Sequence, residues 1–185
     1  MCPMIWTRFH RQPKRGNIAG LYGMIVAQAR SPSFYRDLAV PDTVNGRFDM
    51  IVLHLALVMW RLTGTGQEAF SQDLFDTFCR DMDGNLREMG ISDLKVPKEM
   101  KRMGEAFYGR IKAYGACFSA DTDAALAAAI SRNIYGKAPD QMPDGGSVEV
   151  GRMTAYTRTA ARMLQEQETA GLTDGRIRFP DPVAC

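Results

Sequence analysis

The chain is poor in the residues from which catalytic and metal sites are usually built. Its 185 residues include two histidines and four cysteines. His10 lies before the first predicted helix and His54 within an apolar one, so they cannot form a catalytic relay. The cysteines have neither Cys-x-x-Cys nor zinc-ligand spacing. They are Cys2, Cys79, Cys117 and Cys185. We therefore expect no metal, no cofactor and no enzymatic activity.

Long apolar runs and alternating strand patterns are also absent. The most apolar stretch, residues 50–60, is interrupted by His54. It is much shorter than the roughly 20 residues that a membrane-spanning helix needs. Without a secretory leader, free thiols in a reducing compartment are expected. A hydrophobic fraction of 45% and a charged fraction of 24% are typical of a globular protein.

The formal charge of +2 is too small to indicate a nucleic-acid-binding protein, but it is unevenly distributed. The first 15 residues contain four basic side chains and no acidic one. They are Arg8, Arg11, Lys14 and Arg15. A basic arm over residues 1–16 suits a membrane surface, a ribosome or an acidic protein. The alternative is a flexible terminus that is simply solvated.

Apolar residues recur at helical spacing through most of the chain. They predict six helices, over about 18–30, 43–62, 68–89, 97–118, 124–135 and 150–168. Capping residues are Asp42 or Thr43 for the second helix and Asp121 or Thr122 for the fifth. The expected fold class is all-α, a single bundle over residues 17–170. An exposed loop over 137–151 and an irregular tail over 171–185 follow from their glycines and prolines.

The second predicted helix is apolar almost all round, which is typical of a central core helix. His54 within it is interpreted as a hydrogen-bonded core histidine rather than a ligand. The third helix contains Asp81, Asp83 and Asn85, which begin like a calcium-binding loop. The sixth position of that loop is Leu86 rather than glycine, and the twelfth is Ser92 rather than glutamate. We therefore reject a calcium site.

The third and fourth helices are rich in methionine and aromatic residues. Methionine adapts to irregular hydrophobic partners, so the group indicates a binding groove, although each residue alone suits an ordinary core. The group consists of Met82, Met89, Met100, Met103, Phe107 and Tyr108. Glycines at 104, 109 and 115 weaken the fourth helix, and close approach of another helix, internal or from a partner, would explain them.

Several linked motifs between about residues 21 and 118 resemble the ubiquinol–cytochrome c chaperone family. They occur in the order expected for that family. They are Asp42-Thr43, Gly46-Arg47-Phe48, Leu53-His54, Leu86-Arg87-Glu88-Met89-Gly90, Asp93-Leu94, Ala106-Phe107-Tyr108-Gly109-Arg110 and Ala113-Tyr114.

The resemblance implies a non-enzymatic assembly factor for respiratory complex III that binds newly made cytochrome b. Mitochondrial relatives work with a small partner protein near the ribosomal exit. This chain shows no long presequence or membrane anchor, so it is similar to a compact bacterial-type member. We expect it to act at the cytoplasmic face of the inner membrane, or at the matrix side in a mitochondrion.

The candidate partner-binding residues lie on the third and fourth helices and the segment between them. They are Arg87, Asp93, Lys98, Lys101, Arg102, Phe107, Tyr108, Arg110 and Tyr114. A competing interpretation is that Arg87, Asp93 and Arg110 only tie the two helices together. Two other functions are considered, a scaffold for a soluble partner and a small all-α enzyme with a buried apolar pocket.

Overall fold

The computed structural model describes residues 15–119, 122–136 and 148–184, apart from the side chains of residues 15 and 16. Within these ranges the chain forms eight helices and no strand. They are α1 (Arg15–Ala29), α2 (Pro32–Arg36), α3 (Val44–Leu62), α4 (Glu68–Glu88), α5 (Val96–Phe118), α6 (Ala124–Ile134), α7 (Val148–Glu166) and α8 (Thr169–Thr173). The predicted all-α fold class is confirmed. Two five-residue helices, α2 and α8, add to the six that the periodicity predicts.

Helix α3 lies at the centre of the bundle and contacts α1, α4, α5, α6 and α7. Residues 50–58 are all buried, which confirms the prediction of a central core helix. Thr43 caps its start, since its Oγ1 accepts a hydrogen bond from the Gly46 amide at 3.1 Å. A Cβ at position 46 would lie 2.0 Å from the Pro41 carbonyl oxygen. Glycine is therefore required for the entry segment to fold back on α3.

His54 is a fully hydrogen-bonded core residue, as predicted. Its Nδ1–H donates to the Met50 carbonyl at 2.8 Å, which leaves Nε2 to accept from the Tyr156 hydroxyl at 2.7 Å. Burial lowers the pKa of His54 to about 4, so the ring is neutral at physiological pH. The Phe179 ring packs edge-on at 5.1 Å. His54 thus joins α3 to α7 and to the C-terminal segment.

The segment after α8 has no helix but is held against the core. Leu172 and Ile177 are buried. Gln28 of α1 donates to the Pro180 carbonyl at 3.1 Å. The tail predicted as irregular therefore begins with a short helix and then follows a non-helical path that is fixed by packing and hydrogen bonds.

The end of α4 and the turn to α5 are shaped by Gly90, whose φ is +79°. The Gly90 amide donates to the Arg87 carbonyl and the Ile91 amide to the Leu86 carbonyl, at 2.9 and 3.1 Å. These two bonds define a Schellman motif, which typically brings the residue after the glycine against the last helical turn. Ile91 is thereby placed beside Leu86.

Helix α4 buries the predicted apolar stripe except at its last residue. Its buried members are Leu74, Phe78, Met82 and Leu86, whereas Met89 is 51% exposed. Asp81 and Asp83, considered above as the start of a calcium loop, lie inside this helix. Asp81 accepts a 2.6 Å hydrogen bond from Tyr22, and Asp83 pairs with Arg87.

Among the described helices, none is long and apolar enough to cross a membrane.

Some predicted features lie outside the described residues. These are the arm up to residue 14, His10, Cys2, Cys185, the Asp121 cap and residues 137–147 of the loop. The Thr122 cap is not formed, because α6 begins after Asp123. The Asp123 carboxylate binds Arg158 at 2.6 Å instead of capping the helix.

The glycines at 104, 109 and 115 are not explained by a close neighbour within this chain. A Cβ added at any of them meets no described atom within 4 Å. No helix of the described part of the fold approaches these positions closely. Close approach of a helix from a binding partner remains the other explanation for the three glycines.

Two alanine substitutions should shift stability in opposite directions. Gly90→Ala should lower the free energy of unfolding by about 1–2 kcal/mol, because its φ of +79° strains a residue with a Cβ. Gly104→Ala should raise it by about 1 kcal/mol, since alanine favours a helix and the position is open. Urea unfolding of both variants tests this; shifts in the same direction would refute the account of these two glycines.

Candidate partner-binding grooves

Helix α5 separates two surface grooves at the positions where the sequence predicts partner binding. Groove A is bounded by α3, α4, α5 and α6 and has a volume of about 730 Å³. Its apolar lining includes Phe48, Leu86, Met89, Ile91, Met103 and Ala106. Groove B, bounded by α3, α4 and α5, has a volume of about 550 Å³. Its lining includes Trp60, Phe75, Tyr108, Ile111, Lys112 and Gly115.

The walls of groove A come from helix ends. The first turn of α3, the Schellman turn after α4 and the last turn of α6 meet around the N-terminal half of α5. Helix ends cannot interlock as closely as helix sides, so a concave space remains between them. Arg102 and Arg132 lie at its exposed edge. Glu99, which also lines the groove, forms a 3.0 Å ion pair with Arg102.

The floor of groove A contains an ion pair between two helices. Arg110 Nη2 of α5 lies 2.8 Å from Asp49 Oδ1 of α3, where both side chains are largely removed from water. The guanidinium also lies 5.6 Å from the centre of the Phe48 ring. Burial raises the pKa of Asp49 from 3.8 to about 6, although the charge of Arg110 opposes the rise.

Several polar atoms beneath groove A have unused hydrogen-bonding capacity. Arg110 Nε and Asn133 Nδ2 are buried without a hydrogen-bond partner among the described residues. The Tyr114 hydroxyl is also buried, and burial raises its pKa while the neighbouring Asn133 amide opposes the rise. Tyr114 and Asn133 are neighbours but lack the geometry of a full hydrogen bond. Buried polar groups without partners are costly, so a partner that reached them after movement of the groove floor would be stabilised.

Groove B is more aromatic than groove A. Tyr108 is 60% exposed, and its ring centre lies 5.4 Å from that of Phe75. Trp60 packs against Phe118 at 5.4 Å and donates from its Nε1 to Ser119 Oγ at 3.2 Å. Groove B therefore offers a shallow aromatic surface without a buried charge.

Two of the predicted partner-binding residues are inside the core. Phe107 and Tyr114 are fully buried. The Phe107 ring stacks on Phe78 at 5.1 Å and the Tyr114 ring on Phe118 at 6.1 Å. Their side chains lie beneath the grooves and do not form the surface. Direct contact of either residue with a partner remains a prediction, and such contact would require the core to move.

The other predicted residues are distributed over three places. Arg102 and Arg110 line groove A, and Tyr108 lines groove B. Lys98 and Lys101 are exposed on α5 and line neither groove. Arg87 and Asp93 form an exposed ion pair at the turn between α4 and α5, which supports a structural role for both.

The structure changes the interpretation of Arg110. Its partner is Asp49 of α3, so it ties α5 to the central helix and not to α4. Breaking such a largely buried pair costs far more than the roughly 0–1 kcal/mol of an exposed one. A charge reversal at Arg110 would place two carboxylates together, so it would test stability as well as binding.

No residue of α6 was predicted from the sequence to bind a partner. Asn133 and Arg132 line groove A from the last turn of α6. Asn133 lies between the buried Ser131 and Ile134, and an amide so close to an apolar stripe is the one signal that could have identified it. Its place in the groove A lining together with Asp49 depends on tertiary packing, which spacing alone does not predict.

The described residues contain no cluster of three or more histidine, cysteine or acidic side chains suited to a metal ion. The concave surfaces of this all-helical bundle are largely apolar, with a few buried hydrogen-bonding groups, which is typical of a binding protein. A family model described as ubiquinol-cytochrome C chaperone matches residues 36–179. The chain belongs to this family, whose members are assembly factors and chaperones and not enzymes. The resemblance in the sequence motifs is thus confirmed.

Individual relatives agree with this assignment. Ubiquinol-cytochrome-c reductase complex assembly factor 1 of Xenopus laevis is 28% identical over 146 residues, which cover 78% of this chain and 70% of the relative. The corresponding factor of Drosophila melanogaster is 24% identical over 151 residues, 78% of this chain and 56% of the relative. A crystal structure of the Cbp3 homolog from Brucella abortus is 38% identical, with a TM-score of 0.79 over 97% of this chain and 98% of that one.

The Asp49 carboxyl should make stability depend on pH. Its pKa is raised in the folded state, so its protonation stabilises the fold as pH falls from about 6 to about 4. Asp49→Asn removes this gain in stability. His54, whose pKa is lowered by burial, destabilises the fold as pH falls, but it does so equally in the native chain and the variant. The free energy of unfolding of the native chain minus that of the variant should therefore rise as pH falls through 6. Urea unfolding over pH 4–7 measures it; a constant difference would contradict the raised pKa.

Proposed function

We propose that this chain is an assembly chaperone of ubiquinol–cytochrome c reductase, respiratory complex III, and that it binds newly made cytochrome b in groove A. The relatives from frog and fly are named as assembly factors of that complex, which supports the role in assembly. Cytochrome b as the client follows from the resemblance of the sequence motifs to the family. Groove A is proposed as the binding site because it combines apolar walls with buried polar groups that lack partners among the described residues.

The walls of groove A suit an apolar segment that has not yet entered its final environment. A membrane protein outside the bilayer exposes apolar side chains, and covering them is favourable by about 25 cal/mol per Å². Met89 and Met103 are flexible and polarizable, so they can adapt to segments of different shape. Groove A therefore provides a surface for an apolar helix without requiring one fixed sequence.

The floor of groove A suits the C-terminal end of such a helix. The last four carbonyls of a helix lack partners within the helix and accept hydrogen bonds. Arg110 Nε and Asn133 Nδ2 are donors without partners among the described residues, and because both atoms are buried, side chains of the floor must move to expose them. Arg132 adds positive charge at the edge, which favours the negative end of a helix dipole, whereas the charge of Arg102 is offset by Glu99. We propose that a client helix enters with its C-terminal end towards Asn133.

The place of action follows from the proposed client. Cytochrome b is a membrane protein, so we propose that the chaperone acts at the cytoplasmic face of the inner membrane, or at the matrix side in a mitochondrion. Contact of the basic arm over residues 1–16 with a ribosome remains a prediction, as does the need for a small partner protein.

Site-specific photo-crosslinking tests the proposed client and groove together. A photoreactive phenylalanine derivative at Met103, which lines groove A, should crosslink to cytochrome b in cells. The matched control is the same derivative at Val148, which is 73% exposed at the start of α7 and outside both grooves. A third position, Tyr108, reports on groove B.

Crosslinks to cytochrome b should be strong at Met103, weaker at Tyr108 and absent at Val148. Products from Met103 that contain soluble proteins and no cytochrome b would instead support the alternative function, a scaffold for a soluble partner. Equal crosslinking at Met103 and Val148 would contradict groove A as the binding site.

A further inference from the structure

Three exposed apolar side chains lie in groove A or in the turn next to it. Leu94, in the turn between α4 and α5, is 94% exposed, Val44 is 64% exposed and Met89 is 51% exposed. Val44 and Met89 line groove A, so this region is also the mouth of the groove. The other large apolar side chains that are exposed in the described ranges lie on separate elements. They are Met24, Tyr108, Val148 and Val183.

The tip around Leu94 has a positive surface. Lys95 and Lys98 are exposed, and neither forms an ion pair with any carboxylate of the described residues. The carboxylate of Asp93 is paired with Arg87 of α4, and that of Glu99 with Arg102. Glu88 at the end of α4 is exposed and forms no ion pair with a described residue, so the two lysines outnumber it and leave the tip with a net positive charge.

The backbone holds the tip in place. Gly90 turns the chain after α4, and the Ser92 carbonyl accepts hydrogen bonds from the amides of Lys95 and Val96 at 2.7 and 3.1 Å. Val96, directly after the tip, is buried and anchors the start of α5. Leu94 is thus presented to solvent by a closed turn, so burying its side chain needs no rearrangement of the chain.

We propose that the turn between α4 and α5 docks on the surface of an anionic lipid bilayer, with Leu94 inserted and Lys95 and Lys98 at the headgroups. A protruding turn suits a deformable lipid surface better than a protein partner, because a stable protein interface needs roughly 800 Å² on each side. Lysine stems lie along apolar surface while their ammonium groups remain at the headgroups. Each lysine near an anionic leaflet strengthens binding by about fivefold.

Membrane docking of this tip deepens the proposed function, because Met89 and Ile91 belong both to the turn region and to groove A. With Leu94 in the interface, the mouth of groove A faces the bilayer. An apolar segment that leaves the groove would then reach lipid directly. The docking itself does not depend on which client is bound.

Vesicle flotation with the purified full-length chain tests the proposal. The probes are vesicles of phosphatidylcholine mixed with phosphatidylglycerol, and vesicles of phosphatidylcholine alone, at low salt. The chain should bind the mixed vesicles more tightly. Leu94→Ser should weaken that binding by about tenfold or more, through loss of apolar burial. The double change Lys95→Gln with Lys98→Gln should weaken it by about 25-fold.

Matched controls separate the tip from the rest of the surface. Val148→Ser and Arg162→Gln change exposed side chains of α7, outside both grooves, and should leave binding within about twofold, since neither side chain lies at the lipid surface. Asp93→Asn should strengthen binding by about fivefold, because it removes a negative charge at the tip. Opposite effects of Asp93→Asn and Lys98→Gln would not arise from a general loss of stability. Thermal unfolding of each variant verifies that the fold is kept.

The basic arm provides the competing explanation. If the triple change Arg8→Ser, Arg11→Ser and Lys14→Ser abolishes binding while the tip variants bind like the native chain, the proposal is wrong. Absence of binding by the native chain would also overturn it. The vesicles contain no client protein, so failure here leaves the groove A proposal intact, and failure of the crosslinking leaves this one intact.

Discussion

Helix α3 is apolar on every side, so the rest of the chain must cover it completely. The described structure meets this requirement with α1, α4, α5, α6 and α7 around it. Residues 50–58 are buried within this shell, including the neutral His54, whose two ring nitrogens are both hydrogen-bonded. The cover is complete along the middle of α3. It opens at the first turns, where Thr43 and Gly46 form the wall of groove A.

Asp49, the only buried residue of α3 with a charged side chain, lies near this opening at the start of the helix. A buried ion pair such as Asp49–Arg110 is weak support for stability, because removing two charges from water is costly. The pair fixes α5 against α3 and holds Arg110 beneath groove A, where its Nε–H has no hydrogen-bond partner among the described residues. In the proposed function the same Arg110 would contact the client. A substitution at this pair is therefore expected to change stability and binding together.

The sequence predicts the helices well because apolar side chains recur at helical spacing, as in Leu74, Phe78 and Met82. It does not predict α2 or α8, because five residues are too few to show a period. Phe107 and Tyr108 illustrate the limit for the candidate site. Neighbours on a helix point about 100° apart, so one is buried and the other faces groove B. Asn133 joins groove A only because the ends of α3, α4 and α6 meet around α5.

The central claim is that groove A supports assembly of complex III, and complementation of a deletion strain measures this most directly. Deleting the gene in its host should lower the cytochrome b absorbance of the membranes, and the native chain should restore it. Met103→Glu places a charge in the apolar wall and should fail to restore it at normal protein levels, whereas Arg162→Glu, on the exposed face of α7 outside both grooves, should succeed. Full restoration by Met103→Glu, or unchanged cytochrome b absorbance in the deletion strain, would contradict the account.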